Sequence, residues 1–355
     1  MRIGLIRREF ITHLDGVNRF IANLAEAFKL LGHEVFIMSW SYGGVVEELG
    51  KWFKTVHGLD VEVEVVTLRG PEDKDRWLTM LFDWFTKGSE MLERFDADIA
   101  IVNGVVPIRF RPKIAVAHGP LTGVSRLQRS VLKLLYRTYD RVVCVSEESQ
   151  REYKGIVKCD RIIPLPLKLK NFKPLEPSKR ANLIVHIGTR SVKNPLISVR
   201  AVEILRERGH DVELVIIGGR SEYLEGEIAS KKFIKLLSGV SEKEKNEVLC
   251  SAKAMVLPSS GEAFSYASLE AMACGTPPVV SYAVPRDVVI HGYNGLRVES
   301  LNPVDYANAL EKLLRDEGLW FHIHQNAMAY ARKFDYVEVA REYLELIEEV
   351  VEATG

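Results

Sequence analysis

Net charge is what this sequence most conspicuously lacks. Across 355 residues, 48 lysines and arginines stand against 48 aspartates and glutamates. A general nucleic-acid binder needs a clear basic excess, so no nucleic-acid partner is expected. Cysteine is also scarce. The four cysteines lie far apart with no CxxC pair, which argues against a zinc site or a redox dithiol. Cys144 and Cys274 sit in apolar runs and read as small hydrophobes, a usage that fits a reducing cytoplasm. No uncharged apolar stretch of ~20 residues runs without Gly or Pro, so no membrane span is expected. The opening MRIGLIRREF is too short an apolar run for a signal peptide and reads as a first strand. Only three glutamines occur, a weak thermophile hint.

Several catalytic and nucleotide signatures are missing too. No GxGxxG follows an expected strand, which disfavours a dinucleotide oxidoreductase. There is no GxxxxGK[ST], no HExxH and no GxSxG. No Asp-x-Asp stands directly at the end of an expected strand, Asp73-Lys74-Asp75 lying five residues past VEVEVVTL, which weakens any metal-bridged diphosphate chemistry.

What is present is alternation. RIGLI, HEVFIMSW, VEVEVVTL, DIAIVNG, KIAVAHG and RVVCVS read as strands, with FIANLAEAFKLLG a helix between the first two. A Pro-rich, basic stretch follows, and the pattern restarts with ANLIVHIG, a helix stopped at Gly209, and HDVELVIIGG. The expected fold class is α/β, two consecutive Rossmann-like doubly wound domains with parallel sheets facing across a cleft. Their expected boundaries are 1–168, a linker over 169–180, 181–333, and a closing helix over 334–355.

The richest segment is LPSSGEAFSYASLEAMACGTPPVV, residues 257–280. It ends a strand and opens a helix near Ser265, with Glu262 and Glu270 in E-x7-E spacing. Eight helical residues span ~12 Å, too far for two carboxylates to share a proton and longer than a glycosidase pair needs. The spacing suits two carboxylates gripping opposite ends of an elongated ligand. Between them, the amides around Phe264, Ser265 and Tyr266 form a helix N-terminus that suits phosphate. A nucleotide-sugar fits, with sugar hydroxyls on one glutamate and ribose on the other. After the strand ending at Gly188, Arg190 and Lys193 in TRSVKN are two cations suited to a diphosphate leaving group.

These residues carry a resemblance. Ser259–Pro277, with Glu262, Glu270 and the run AMACGTP, resembles the E-x7-E signature of retaining family 4 glycosyltransferases of GT-B fold. Asp15-Gly16 before a helix ending LGHEV is similar to the family's glycine loop and first helix, and CVSEES (144–149) to its strand before the linker. The closing FDY plus helix resembles the family's last helix, which crosses back onto the first domain. The resemblance implies that Arg190 and Lys193 bind the diphosphate, Glu270 the ribose and Glu262 the donor sugar. It also implies that the Gly16 amide meets the diphosphate from the opposite domain. His118, closing KIAVAH, matches the family's cleft histidine near the donor sugar. Glu262, His118, Arg190 and Lys193 are thus the candidate catalytic residues.

The chain departs from the family at four places. Asp15-Gly16 replaces two glycines, and Lys193 follows Arg190 by three residues instead of five. Ser265 stands where the family usually has Gly, and SYAVPRD replaces the later glycine-rich loop.

The implied reaction moves a hexose, with retention, from a UDP-, GDP- or ADP-hexose to a glycan, lipid-linked or small-molecule acceptor. No cofactor beyond the donor is expected, and no metal. Two other classes stay open. One is a GT-B sugar-phosphate synthase, phosphorylase or epimerase on the same donor site. The other is a non-enzymatic two-domain small-molecule binder.

Two features bear on the acceptor side. From Ile99 to Tyr139 there are seven basic residues and no acidic one. Arg126, Arg129, Lys133 and Arg137 recur at helical spacing on one face, with Leu127, Val131, Leu134 and Leu135 expected behind. A solvated face is the first reading of these cations, and contact with an anionic lipid surface or a phosphorylated acceptor is the alternative; the expected location is cytoplasmic, with a peripheral membrane contact on the alternative reading. RWLTMLFDWF (76–85) is apolar on two faces and needs a second partner; a lipid acceptor, another subunit or the domain core would serve, and the core is the favoured one.

Overall fold

The computed structural model describes residues 1–13, 15–42, 48–70, 77–118, 121, 124–262 and 264–354. Arg76, Gly119 and Ala263, which belong to segments named above, lie outside them. The chain divides into two compact units, Met1–Leu167 with Asp335–Gly355, and Lys168–Phe334.

In the first unit the strands are β1 (Arg2–Phe10), β2 (Glu34–Ser41), β3 (Glu64–Thr67), β4 (Ile99–Asn103), β5 (Lys113–Ala117), β6 (Arg141–Cys144) and β7 (Arg161–Ile162). They form one parallel sheet in the order β3-β2-β1-β4-β5-β6-β7. IAIVN and KIAVA are buried at every position, as expected for strands covered by helices on both faces. The helices are α1 (Gly16–Leu30), α2 (Leu49–His57), α3 (Trp77–Asp83), α4 (Ser89–Arg94), α5 (Arg126–Tyr136) and α6 (Glu147–Tyr153).

A single π turn, Trp84–Gly88, joins α3 to α4. Glycine is required at position 88, because a Cβ there would sit 2.8 Å from the Ile108 side chain and 3.0 Å from the Trp84 ring. The turn buries Trp84 and Met80, whereas Leu78, Phe82 and Phe85 stay exposed. The core therefore takes only one face of RWLTMLFDWF, and the expectation that the core covers its apolar surface fails for the other.

In the second unit the strands are β8 (Ala181–Ile187), β9 (Glu213–Ile217), β10 (Ile234–Leu237), β11 (Ala252–Leu257), β12 (Pro278–Ser281) and β13 (Leu296–Val298). They too form a parallel sheet, in the order β10-β9-β8-β11-β12-β13. Its helices are α7 (Pro195–Glu207), α8 (Glu222–Ile228), α9 (Glu242–Ser251), α10 (Tyr266–Ala273), α11 (Pro303–Arg315) and α12 (Glu317–Ala331). Pro195 and Pro303 occupy first-turn positions, where the missing N–H costs no helical bond. The last helix, α13 (Tyr336–Thr354), lies in the first unit and packs against α1.

The strand order reverses between β1 and β4 in one sheet and between β8 and β11 in the other. In open α/β sheets, ligands sit at the carboxyl ends of the strands flanking such a reversal. The loops leaving β8 and β11 carry Arg190, Lys193 and Glu262, and the loop leaving β1 carries Asp15 and leads to Gly16.

The cysteines correct the sequence expectation. Cys144 is bonded to Cys159, with Cα atoms 5.7 Å apart, and Cys250 to Cys274 at 4.6 Å. Cys144 ends β6 and Cys159 precedes the adjacent β7; Cys250 lies late in α9 and Cys274 just past α10. Separations of 15 and 24 residues hide both pairs from a search for close spacings. Cysteine usage therefore gives no argument for a reducing compartment.

Candidate functional site

The second unit builds its candidate site from two loops stitched together. Gly188 leaves β8 at φ +108°, a conformation that favours glycine, and a Cβ there would lie 2.8 Å from Lys193 Cγ. A short turn over Ser191–Lys193 and a left-handed Asn194 then enter α7. Asn194 Nδ2 donates to the Pro258 carbonyl at 2.9 Å. The Val192 carbonyl accepts from the Ser260 amide at 2.8 Å and from Ser259 Oγ at 3.0 Å. The loop after β8 is thereby fixed to the loop after β11.

This framework places Lys193 Nζ on the Glu262 carboxylate. Both side chains are largely shielded from solvent, so each supplies the counter-ion the other needs. Arg190 sits at the same loop, exposed, and makes no ion pair among the described residues. One expected cation is therefore engaged with the expected sugar-binding carboxylate, and the other is presented to solvent.

Ser265 caps α10 from φ +99°, ψ 84°, and its hydroxyl accepts from the Ser268 amide at 3.3 Å. A positive φ is the conformation glycine tolerates best, which accounts for glycine being the residue expected there by resemblance. Phe264 is buried edge-on against Phe334, ring centres 5.8 Å apart, and Tyr266 opens the helix. Glu270 is buried, with Oε1 2.8 Å from Lys245 Nζ of α9; Lys245 also reaches Glu242 at 2.8 Å. No local signal in the sequence marks Lys245, whose partner Glu270 lies 25 residues on. His186 was missed as well. It is fully buried, with Nδ1 2.8 Å from Ser198 Oγ and Nε2 2.7 Å from the Gly188 carbonyl. Burial pushes its pKa down to about 4, so the ring is neutral, with Nε2–H donating to Gly188.

In the first unit Gly16 is the opening residue of α1, where helical amides lack helical acceptors. Asp15 caps the helix, accepting from the Asn18 amide at 2.9 Å. Its other oxygen pairs with the buried Arg7 at 2.8 Å. His118 Nε2 lies 2.8 Å from Asn103 Oδ1, and Phe20 meets the ring edge-on at 4.7 Å. The Asn103 amide donates to the Ile6 carbonyl at 3.1 Å, which directs Oδ1 to the histidine. Oδ1 can only accept, so Nε2 carries the proton and Nδ1 is bare. Burial, then the Arg7 charge, push His118 down to about 3. Such a ring is a hydrogen-bonding group at neutral pH and a very weak base.

Arg126, Arg129 and Lys133 lie exposed along α5, with Arg137 just beyond its end. Arg129 turns back to the Leu121 and Val124 carbonyls, at 3.2 and 3.3 Å. Leu127 and Leu134, expected behind this face, are exposed instead. Val131 and Leu135 are half-buried, and the helix anchors mainly through Tyr136.

The family model described as Glycosyltransferase Family 4 matches residues 14–167, and that of Glycosyl transferases group 1 matches residues 168–334. The D-inositol 3-phosphate glycosyltransferase of Corynebacterium jeikeium (strain K411) is 30% identical over 185 residues, 48% of this chain and 44% of that protein. Its namesake in Xylanimonas cellulosilytica is 28% identical over 228 residues, 57% of this chain and 54% of that one. The chain thus spans about half the length of the curated relatives it matches. Sucrose-phosphate synthase from Thermosynechococcus elongatus superposes with a TM-score of 0.80 at 17% identity, over 99% of this chain and 100% of that one. Anabaena Alr3699/HepE, solved in complex with UDP-glucose, gives 0.78 at 17% identity, over 98% and 100%. The fold class is accordingly that expected, GT-B with two consecutive Rossmann-like domains.

Proposed function

We propose that this chain, which belongs to the glycosyltransferases of group 1 and family 4, moves a hexose from a nucleotide-diphosphate sugar to an acceptor with retention. The observation that carries the reading is the joined pair of loops after β8 and β11. They bring the Lys193–Glu262 pair, the exposed Arg190 and the N-terminus of α10 onto one framework. Fixed cations and helix amides of this kind stabilise charge that develops on a departing diphosphate. Glu262 is assigned to the donor sugar, and Lys193 holds that carboxylate in place. Glu270, held by Lys245, is assigned to the ribose end.

In the proposed front-face step, the bond from the anomeric carbon to the diphosphate oxygen breaks as the acceptor oxygen bonds to the same face. The acceptor proton passes to the leaving diphosphate. Arg190 and Lys193 balance the charge released there, so the reaction is proposed to run without a metal. In the first unit, Gly16 is assigned to the diphosphate and neutral His118 to a sugar hydroxyl, its bare Nδ1 accepting a hydrogen bond. The HepE complex makes UDP-glucose the first donor to test, ahead of GDP- and ADP-hexoses. The relatives' name makes a phosphorylated polyol the first acceptor.

Incubation with each donor, followed by NMR of the anomeric proton, tests the reading. Retained configuration, unaffected by chelator and lost in Glu262→Ala, is expected; an inverted product refutes the front-face step. Binding of donor with neither transfer nor hydrolysis would favour a non-enzymatic binder, and release of a sugar phosphate would favour a phosphorylase.

A further inference from the structure

Two apolar surfaces of the first unit go uncovered, and both are flanked by cations. On α3 and the π turn, Leu78, Phe82 and Phe85 follow at spacings of four and three, so they form one stripe. Leu78 and Phe82 are 74 and 65% exposed. On α5, Leu127 and Leu134 lie seven residues apart on one face and are 76 and 62% exposed. Large apolar side chains this open, and grouped, call for an occupant.

Both helices rest on the same core. Met80 and Trp84 beneath the first stripe, and Tyr136 at the end of α5, belong to one buried cluster. The segment before β5 links their outer sides. Arg109 stacks its guanidinium over the Phe85 ring at 4.3 Å, and Arg111 donates to the Thr138 carbonyl, just past α5, at 3.3 Å. The two stripes therefore flank the segment that carries Arg109 and Arg111.

Among the described residues, most of the exposed charges beside these stripes are basic. Arg126, Lys133 and Arg137 are exposed and make no ion pair among the described residues, and neither does Arg109. The buried Asp83 is paired with Arg69 and Lys87, and the shielded Asp140 with Arg111. Among the described residues, Glu90 of α4 is an exposed acid on this side, and its neighbour Ser89 accepts from the Arg109 amide at 2.8 Å.

We propose that this surface seats the protein on a bilayer carrying anionic headgroups. The cations meet the headgroups, and the leucines and phenylalanines enter the acyl boundary. An amphipathic face of basic residues beside Leu and Phe binds in that way, in the plane of the interface. The proposal goes beyond the donor chemistry above and stands whether or not that chemistry is right, because it uses none of the donor-site residues.

The test is co-sedimentation of the full chain with vesicles of phosphatidylcholine alone, or of phosphatidylcholine mixed with phosphatidylglycerol. Sedimentation with the mixed vesicles is expected, with release as salt rises and little binding to the neutral ones. Removing three cations, in Arg126→Gln/Lys133→Gln/Arg137→Gln, lowers partitioning by on the order of 100-fold, at about 1 kcal/mol per basic residue. Leu78→Ser/Phe82→Ser lowers it by at least roughly tenfold, through the lost apolar burial. These positions are exposed, so the variants keep the wild-type unfolding midpoint. The salt series on the wild-type protein needs no variant at all. Failure to sediment with anionic vesicles at low salt, or equal binding to neutral ones, overturns the proposal. So does a lipid-free dimer that dissociates in Leu127→Ser/Leu134→Ser, which would make the surface a contact between two copies.

Discussion

Replacing Ser265 with glycine should stabilise the protein, although it removes a helix cap. The backbone there sits at φ +99°, ψ 84°, outside the regions open to residues with a Cβ. A residue held in such a conformation carries about 1–3 kcal/mol of strain, which glycine does not. Against this, losing the Ser265 hydroxyl from the Ser268 amide costs only a few tenths, about 0.3 kcal/mol, when glycine replaces a capping serine. The wider freedom of glycine in the unfolded chain subtracts roughly 0.5–1 kcal/mol more. The net expectation is a gain of about 1 kcal/mol. Ser265→Ala keeps the strain and loses the cap, so it should cost about 1 kcal/mol. The two variants differ by a single methyl group yet should fall on opposite sides of wild type. For a unit of this size, 1 kcal/mol corresponds to roughly 2–4 °C in Tm. Trp320 is the second unit's only tryptophan and is buried, with Nε1 2.7 Å from the Lys253 carbonyl, so in protein carrying 5-fluorotryptophan, urea unfolding followed by the Trp320 fluorine resonance reports on the right unit. If glycine destabilises, or if both variants shift the same way, the strain argument fails.

Lys245→Met should destabilise by about 3–5 kcal/mol, because it takes the Lys245 cation away from the buried Glu270 carboxylate. Lys245→Met/Glu270→Leu should recover most of that loss, and a double variant as unstable as the single would refute the pairing. Removing the Cys250–Cys274 bond in a double serine variant should cost about 3 kcal/mol, given the 24-residue separation. Reductant should mimic that loss, and an unchanged urea midpoint under reductant would count against it. The buried neutral His186 has a folded pKa of about 4, below its unfolded value of 6.5. Between those values the unfolded chain binds more protons, so stability rises with pH across the window and is lost as pH falls through it. The full difference is about 3 kcal/mol, and His186→Gln should flatten that part of a pH-stability curve.

How legible a feature was depended on whether it is local. Strands such as IAIVN and KIAVA could be read because helices cover both faces of the sheet and leave continuous apolar runs. β7, two residues long, and β13, three, are too short to carry a pattern and are defined only by their neighbours. α12 mixes Trp320, His322, His324 and Asn326 and lacks a clean amphipathic period. Within the candidate site, Arg190, Lys193, Glu262 and Glu270 could be named from strand ends and spacing. The sequence could not show that Lys193 meets Glu262, 69 residues away, or that Lys245 meets Glu270. Such pairings depend on which loops and helices the sheet order makes adjacent. His186 stood inside an apolar strand, where its two hydrogen-bond partners left no trace in the local sequence. The two faces of RWLTMLFDWF could be seen, but which face turned inward could not.

That choice of face traces back to the π turn at Trp84–Gly88. A π turn accommodates one residue more than an α turn, and each α-helical residue advances the chain by ~100° about the axis. Deleting a single residue there would rotate all of α3 by about that angle relative to α4. Leu78 and Phe82 would swing off the outer face, and Met80 would leave the core. One inserted residue thus works as an angular setting for seven side chains at once. A lineage could gain or lose the apolar outer stripe by a single-codon insertion or deletion, without altering any residue of the stripe itself.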